Sequence, residues 1–178
     1  MSHLRIPVTD QDHSFGPADA PLTLVEYGDY QCPYCGEAFP VVKQLLKQYD
    51  GKIRFIFRNF PIQEIHPEAV DAAFVAEFAS EHGEFWQAHD LLYENQTELG
   101  PQLYQRICEA LGLKVNDLHQ AAKENKYTAR IQADEEGGIR SGVNGTPTFF
   151  LNGTIVEAGT PGLADAIRST LADAKSGH

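Results

Sequence analysis

A β-branched apolar run, Leu22-Thr23-Leu24-Val25-Glu26-Tyr27, passes through Gly28 into Cys32-Pro33-Tyr34-Cys35 and then into a helical pattern; no other stretch narrows the fold as much. Six residues of this kind have strand length. After them Val42, Leu45, Leu46 and Tyr49 recur at i, i+3, i+4 and i+7, the spacing of one helix face. The helix should begin near Cys32, because Pro33 suits a first helical position, where its missing N–H has no partner to lose. Pro40 should kink it. Asp50-Gly51 ends it, and Ile53-Arg54-Phe55-Ile56-Phe57-Arg58 reads as a second strand. Strand, helix and strand in that order make a βαβ unit with a parallel pair and a right-handed crossover.

The flanking chain divides by periodicity. Residues 1–20 read as an irregular lead-in with a turn at Gly16-Pro17. From about Ile62 one helical pattern follows another. Ala69, Ala72, Ala73, Ala76 and Ala79 form a small-residue stripe that suits close packing. Further helices are expected over residues 84–95, 101–112, 115–124 and 127–143, the last with Tyr127, Ile131 and Ile139 inward. Thr148-Phe149-Phe150-Leu151, then Asn152-Gly153, then a second run over residues 154–158 signals a hairpin, since Asn-Gly supplies the positive φ angles of a type I′ turn. An amphipathic helix over residues 162–174 closes the pattern. The expected architecture is an α/β unit, residues 1–62 with 144–178, interrupted by an all-helical insertion over residues 63–143.

Charge and composition exclude several classes. Fourteen basic against twenty-five acidic side chains give a net charge of −11, with no basic cluster, so neither nucleic acid nor an anionic membrane is an expected partner. No run reaches the ~18–20 apolar residues of a membrane span. The first twenty residues lack the apolar centre of a secretory signal, so the expectation is a cytoplasmic protein.

Three cysteines do not make a disulfide framework. Cys32 and Cys35 sit together; Cys108 shares a stripe with Tyr104, Ile107 and Leu111 and reads as an inert core thiol. Structural zinc would need four ligands, whereas no second pair is present and His66, His82, His89 and His119 are scattered, so no metal is expected. A thiol at a helix N-terminus has its anion stabilised by unpaired N–H groups and the helix dipole. Cys32 is therefore the expected nucleophile, and Cys35, one turn on, the resolving thiol. Glu26, out of place in an apolar strand, should be buried with a raised pKa and able to relay a proton to or from Cys35. The competing reading of Glu26 is a solvated side chain at a sheet edge.

These pieces resemble the DsbA-like thiol-disulfide oxidoreductases, proteins of thioredoxin-like fold with a helical insertion. The resemblance is carried by Phe15-Gly16-Pro17 with Ala20-Pro21, Asp29-Tyr30-Gln31-Cys32-Pro33-Tyr34-Cys35, Phe57-Arg58-Asn59-Phe60-Pro61, and residues 142–149 before Asn152-Gly153. It implies that Pro147 is a cis-proline facing the cysteines, that Thr146 lends backbone contacts to a bound peptide, and that Pro33 and Tyr34 join them in contacting substrate. It also implies that Glu26 is the family's buried acid. Pro33-Tyr34 departs from the Pro-His of the periplasmic oxidants and matches glutaredoxins. The expected activity is disulfide exchange with protein or peptide thiols, served by an electron donor or acceptor and by no cofactor beyond the cysteine pair, with glutathione a possible reductant. Two other readings stand beside it: a glutathione-dependent isomerase or transferase on the same fold, and a non-enzymatic binding or chaperone module.

Overall fold

A computed structural model describes residues 2–176; residues 1, 177 and 178 of the expected α/β unit lie outside the described residues. The central strand is β2 (Leu22–Gly28), parallel to β3 (Ile53–Asn59), with α1 (Pro33–Gln48) between them in sequence. Helix α1 is continuous through Pro40 and has Pro33 at its start. Strand β4 (Thr148–Leu151) runs antiparallel to β2 on its other side and pairs with the short β5 (Thr154–Ile155).

Residues 1–20 are more ordered than their composition suggests. His13–Phe15 form β1, antiparallel to β3, so the sheet order is β1-β3-β2-β4-β5. Three residues with one apolar member leave no readable alternation; the pairing comes from β3 offering an open edge. Arg58 holds the rest of this segment. Its guanidinium donates to both Asp12 carboxylate oxygens, to the Ile6 and Pro7 carbonyls and to Tyr27 Oη.

Helices α2 (Ala69–Glu81), α3 (Phe85–Glu94), α4 (Pro101–Leu111), α5 (Val115–Lys123) and α6 (Thr128–Arg140) lie between β3 and β4. The alanine stripe of α2 is buried throughout. Ile139, expected inward, is 59% exposed. The face of α6 that meets the sheet is instead Gly137 and Gly138, where a Cβ would crowd Ile6 in the first case and Phe60 and Tyr27 in the second. Close approach of backbone to aromatic rings decided the helix rotation, a choice that hydrophobic periodicity cannot register. Helix α7 (Leu163–Ser176) closes the described chain.

Strand alternation sorts the core. Leu22, Leu24, Phe55, Phe57, Phe149 and Leu151 face one side of the sheet and join a cluster that includes Cys32, Cys35 and the apolar residues of α2 to α5. Val25, Tyr27, Ile56 and Phe150 face the other side with Phe60 and Val143. Glu26, two residues beyond Leu24, falls by this parity on the cysteine side.

Candidate active site

Cys32 is the N-cap of α1 in an extended conformation, and its Sγ lies 3.5 Å from the Thr146 carbonyl oxygen. Both cysteines are free thiols and buried, Cys32 4% exposed and Cys35 not exposed at all. The two thiols are displaced in opposite directions. Cys32 is pulled down to about 5, chiefly because the Cys35 thiol donates to its sulfur, with the backbone N–H groups of Cys35 and Tyr34 adding to this against the effect of burial. Cys35 is pushed well up by burial, by its bond to Cys32 and by the negative charges of Glu26 and Cys32. One sulfur is therefore an anion at neutral pH while its neighbour keeps its proton.

Glu26 is 3% exposed, which removes the solvated-edge reading. It pairs across the ladders with Phe57 and Phe149, both fully buried. Desolvation raises its pKa to about 8, with the charge on Cys32 contributing. The Thr146–Pro147 peptide bond is cis, directly before β4. Tyr34, between the cysteines, is 69% exposed. Thus Cys32, Cys35, Glu26, Thr146 and Pro147 are gathered by three segments, the β2 strand, the N-terminal turn of α1 and the entry to β4.

Several site residues carry no local signature. Asp29 is fully buried and accepts from the Gln31 N–H (2.8 Å) and the Ile62 N–H (2.9 Å), and its Oδ2 lies 2.8 Å from His66 Nδ1, tying the loop before Cys32 to the loop after β3. The bond to Gln31 is an Asx turn, the one part of this arrangement that the sequence advertises. Tyr30 Oη is 2.8 Å from Nδ1 of His89, a fully enclosed imidazole whose pKa burial lowers to about 3. Gln96, between α3 and α4, donates from Nε2 to the carbonyls of Tyr30 (2.9 Å) and Cys32 (2.8 Å). Cys108 is buried in the core with its pKa raised by burial.

A sheet in the order β1-β3-β2-β4-β5 with a cysteine pair at the first helix invites comparison with known proteins, and residues 8–169 match the family described as Thioredoxin. The chain belongs to the thioredoxin family. This thioredoxin-family chain is 44% identical over 151 residues to the Na(+)/H(+) antiporter NhaA 3 of Salinispora tropica; the match takes in 84% of the chain and 23% of the antiporter. The chain thus spans about a quarter of the length of the curated relatives it matches. Among solved structures, BdbD from Bacillus subtilis aligns with a TM-score of 0.83 over 96% of this chain and 98% of that one, at 21% identity. A periplasmic thioredoxin-like protein from Salmonella enterica serovar Typhimurium aligns with a TM-score of 0.73 over 90% of each chain, at 20% identity. The expected fold, thioredoxin-like and DsbA-like with a helical insertion, is the one observed.

The expected cytoplasmic location is corrected by the same comparisons. Relatives with a matching segment are described as Na(+)/H(+) antiporters and a solved neighbour is described as periplasmic, so the comparisons speak against the cytoplasmic expectation. The composition of residues 1–20 holds no information on compartment, because a targeting signal can lie elsewhere in a longer chain.

Proposed function

We propose that this chain is a thiol-disulfide oxidoreductase acting on protein or peptide thiols, with Cys32 as nucleophile and Cys35 as resolving thiol. The observation that carries this reading is geometric: two free, buried thiols lie one helical turn apart, with Cys32 as the N-cap of α1 and its Sγ against Thr146 at the entry to β4, and the opposite displacement of the two thiols fits that placement. A stabilised Cys32 thiolate stabilises the reduced pair, which makes the disulfide form the stronger oxidant. Substrate oxidation is the favoured direction.

In that direction a substrate thiolate attacks Cys32 Sγ of the Cys32–Cys35 disulfide, the S–S bond breaks, and Cys35 leaves with the electron pair. Glu26, with its pKa near 8, holds a proton at neutral pH and supplies it to Cys35. A second substrate thiolate attacks the substrate sulfur of the mixed disulfide and releases Cys32 as the thiolate. Two electrons end on the cysteine pair, and the substrate leaves as a disulfide. Thr146 and Pro147, with Pro33 and the exposed Tyr34, form the rim that contacts the substrate chain. The cysteine pair is itself the redox group, and glutathione is a competent small-molecule partner for it. In this scheme residues 1–62 and 144–178 carry the chemistry, and residues 63–143 cover it.

The test is oxidation of a dithiol peptide by the oxidised protein, with insulin disulfide reduction as the reverse assay. Cys32→Ser should abolish both; either activity surviving in that variant would sink the proposal.

A further inference from the structure

The loop that presents Cys32 is held from the insertion side. Tyr93 Oη donates to the Asp29 carbonyl at 3.4 Å, the Glu68 N–H at the start of α2 donates to Gln31 Oε1 at 2.7 Å, and Gln96 spans the carbonyls of Tyr30 and Cys32. The Cys32 carbonyl also accepts the Gly36 N–H at 3.0 Å, the first bond of the α1 ladder. Gln96 therefore grips the same peptide unit that starts the helix. Its approach depends on Gly36, since a Cβ at that position would overlap Gln96 Oε1. Gly36 is not among the glycines with positive φ, so its lack of a side chain serves this contact and not the backbone.

Resting on the oxidoreductase reading above, we propose that Gln96 is the positioning residue through which the helical insertion holds the N-terminal turn of α1 in the geometry the Cys32 thiolate needs. Gln96 acts on the thiolate in two ways. First, the thiolate is stabilised by N–H groups of Tyr34 and Cys35, and these aim at Sγ only while the first turn is fixed; N–H groups of a first turn have no intrahelical acceptor, so their direction depends on what holds the turn. Secondly, the Gln96 amide places two N–H dipoles against two carbonyl oxygens beside the sulfur, offsetting negative potential that would otherwise oppose the anion. The insertion is then part of the redox centre's electrostatics as well as a cover for it.

The experiment is a double-mutant cycle on the reduced protein, using Gln96→Ala, Gly36→Ala and the pair combined, read by thiolate absorbance against pH and by equilibrium with glutathione. Each single substitution should raise the Cys32 titration by about half a pH unit, the size of a helix-terminal dipole effect, and lower the equilibrium constant for substrate oxidation about threefold. The double variant should show no more than one single shift, because both changes remove the same contact. A fall in thermal stability with the Cys32 titration and glutathione equilibrium unchanged in both single variants would overturn the proposal and leave Gln96 a packing residue. Dithiol oxidation or insulin reduction surviving in Cys32→Ser would instead defeat the oxidoreductase reading, so the two failures are distinguishable.

Discussion

At the scale of single residues, Cys32 and Glu26 give stability opposite dependences on pH. For reduced Cys32 the folded pKa, about 5, lies below the ordinary thiol value of 9.0. Between those values the unfolded chain holds a proton that the folded one has lost, so this contribution is complete above about 9 and disappears as pH falls through 5. The urea midpoint of the reduced protein minus that of reduced Cys32→Ser should therefore grow from pH 5 to pH 9. Glu26 has the reverse sign, its folded pKa of about 8 lying above the ordinary 4.5. Its stability contribution is present below 4.5 and declines until 8, because over that range the unfolded chain ionises while the folded chain keeps the proton on the buried acid. Glu26→Gln should therefore be the more stable protein at pH 9, by about 2 kcal/mol once relaxation around the charge is allowed for, and close to the parent at pH 4. The same substitution should flatten the pH dependence of Cys35 release near neutrality, measured by stopped-flow reaction of the oxidised protein with a thiol peptide.

At the scale of elements, strand parity does more than local propensity. Glu26 reaches the cysteine side because it lies in register between Phe57 and Phe149, and a slip of one residue would turn it to the face of Val25 and Tyr27. The hairpin that fixes β4 against β2 turns at Asn152 (φ 48°) and Gly153 (φ 86°), as the Asn-Gly pair foretold. A Cβ at Gly153 would meet nothing, so Gly153→Val isolates the conformational cost. It should destabilise by about 1–2 kcal/mol, seen as a lower urea midpoint, while the Cys32 titration stays in place. A coupled loss of the thiolate would show that the hairpin sets site geometry more directly than its position suggests. The second hairpin strand is shorter than its sequence run, Thr154–Ile155, because β5 pairs only with the end of β4.

At the scale of the whole molecule, one apolar cluster runs from the sheet face through the cysteines into α2, α3, α4 and α5. The insertion has no separate core beneath it. Thermal unfolding should therefore be a single cooperative transition, with calorimetric and van't Hoff enthalpies equal; two resolved transitions would show that the insertion melts independently. Polar ties cross the same boundary. His13 of β1 contacts Glu77 of α2 at 2.7 Å and stacks on Phe85 of α3, and Glu77 also accepts from Asn59 of β3 and pairs with Arg130 of α6. Burial alone would raise the pKa of Glu77; these partners hold it below the ordinary carboxylate value.

The sequence by itself determined the βαβ unit, the hairpin, the helical character of the insertion and the two thiols at a helix start, because each is a local matter of periodicity, turn chemistry or spacing. A misplaced acid in an apolar strand was enough to mark Glu26 as buried. Tertiary structure alone decided the pairing of His13–Phe15, the rotation of α6 that leaves Ile139 exposed, and the contacts of Asp29, His66, His89 and Gln96 around the cysteines. Those depend on which backbone edges, carbonyls and ring faces are brought together from distant parts of the chain, and a hydrogen bond between residues 32 and 96 leaves no periodic trace in either segment. The thiols were legible; the protein groups that set their charge became visible only when the chain closed around them.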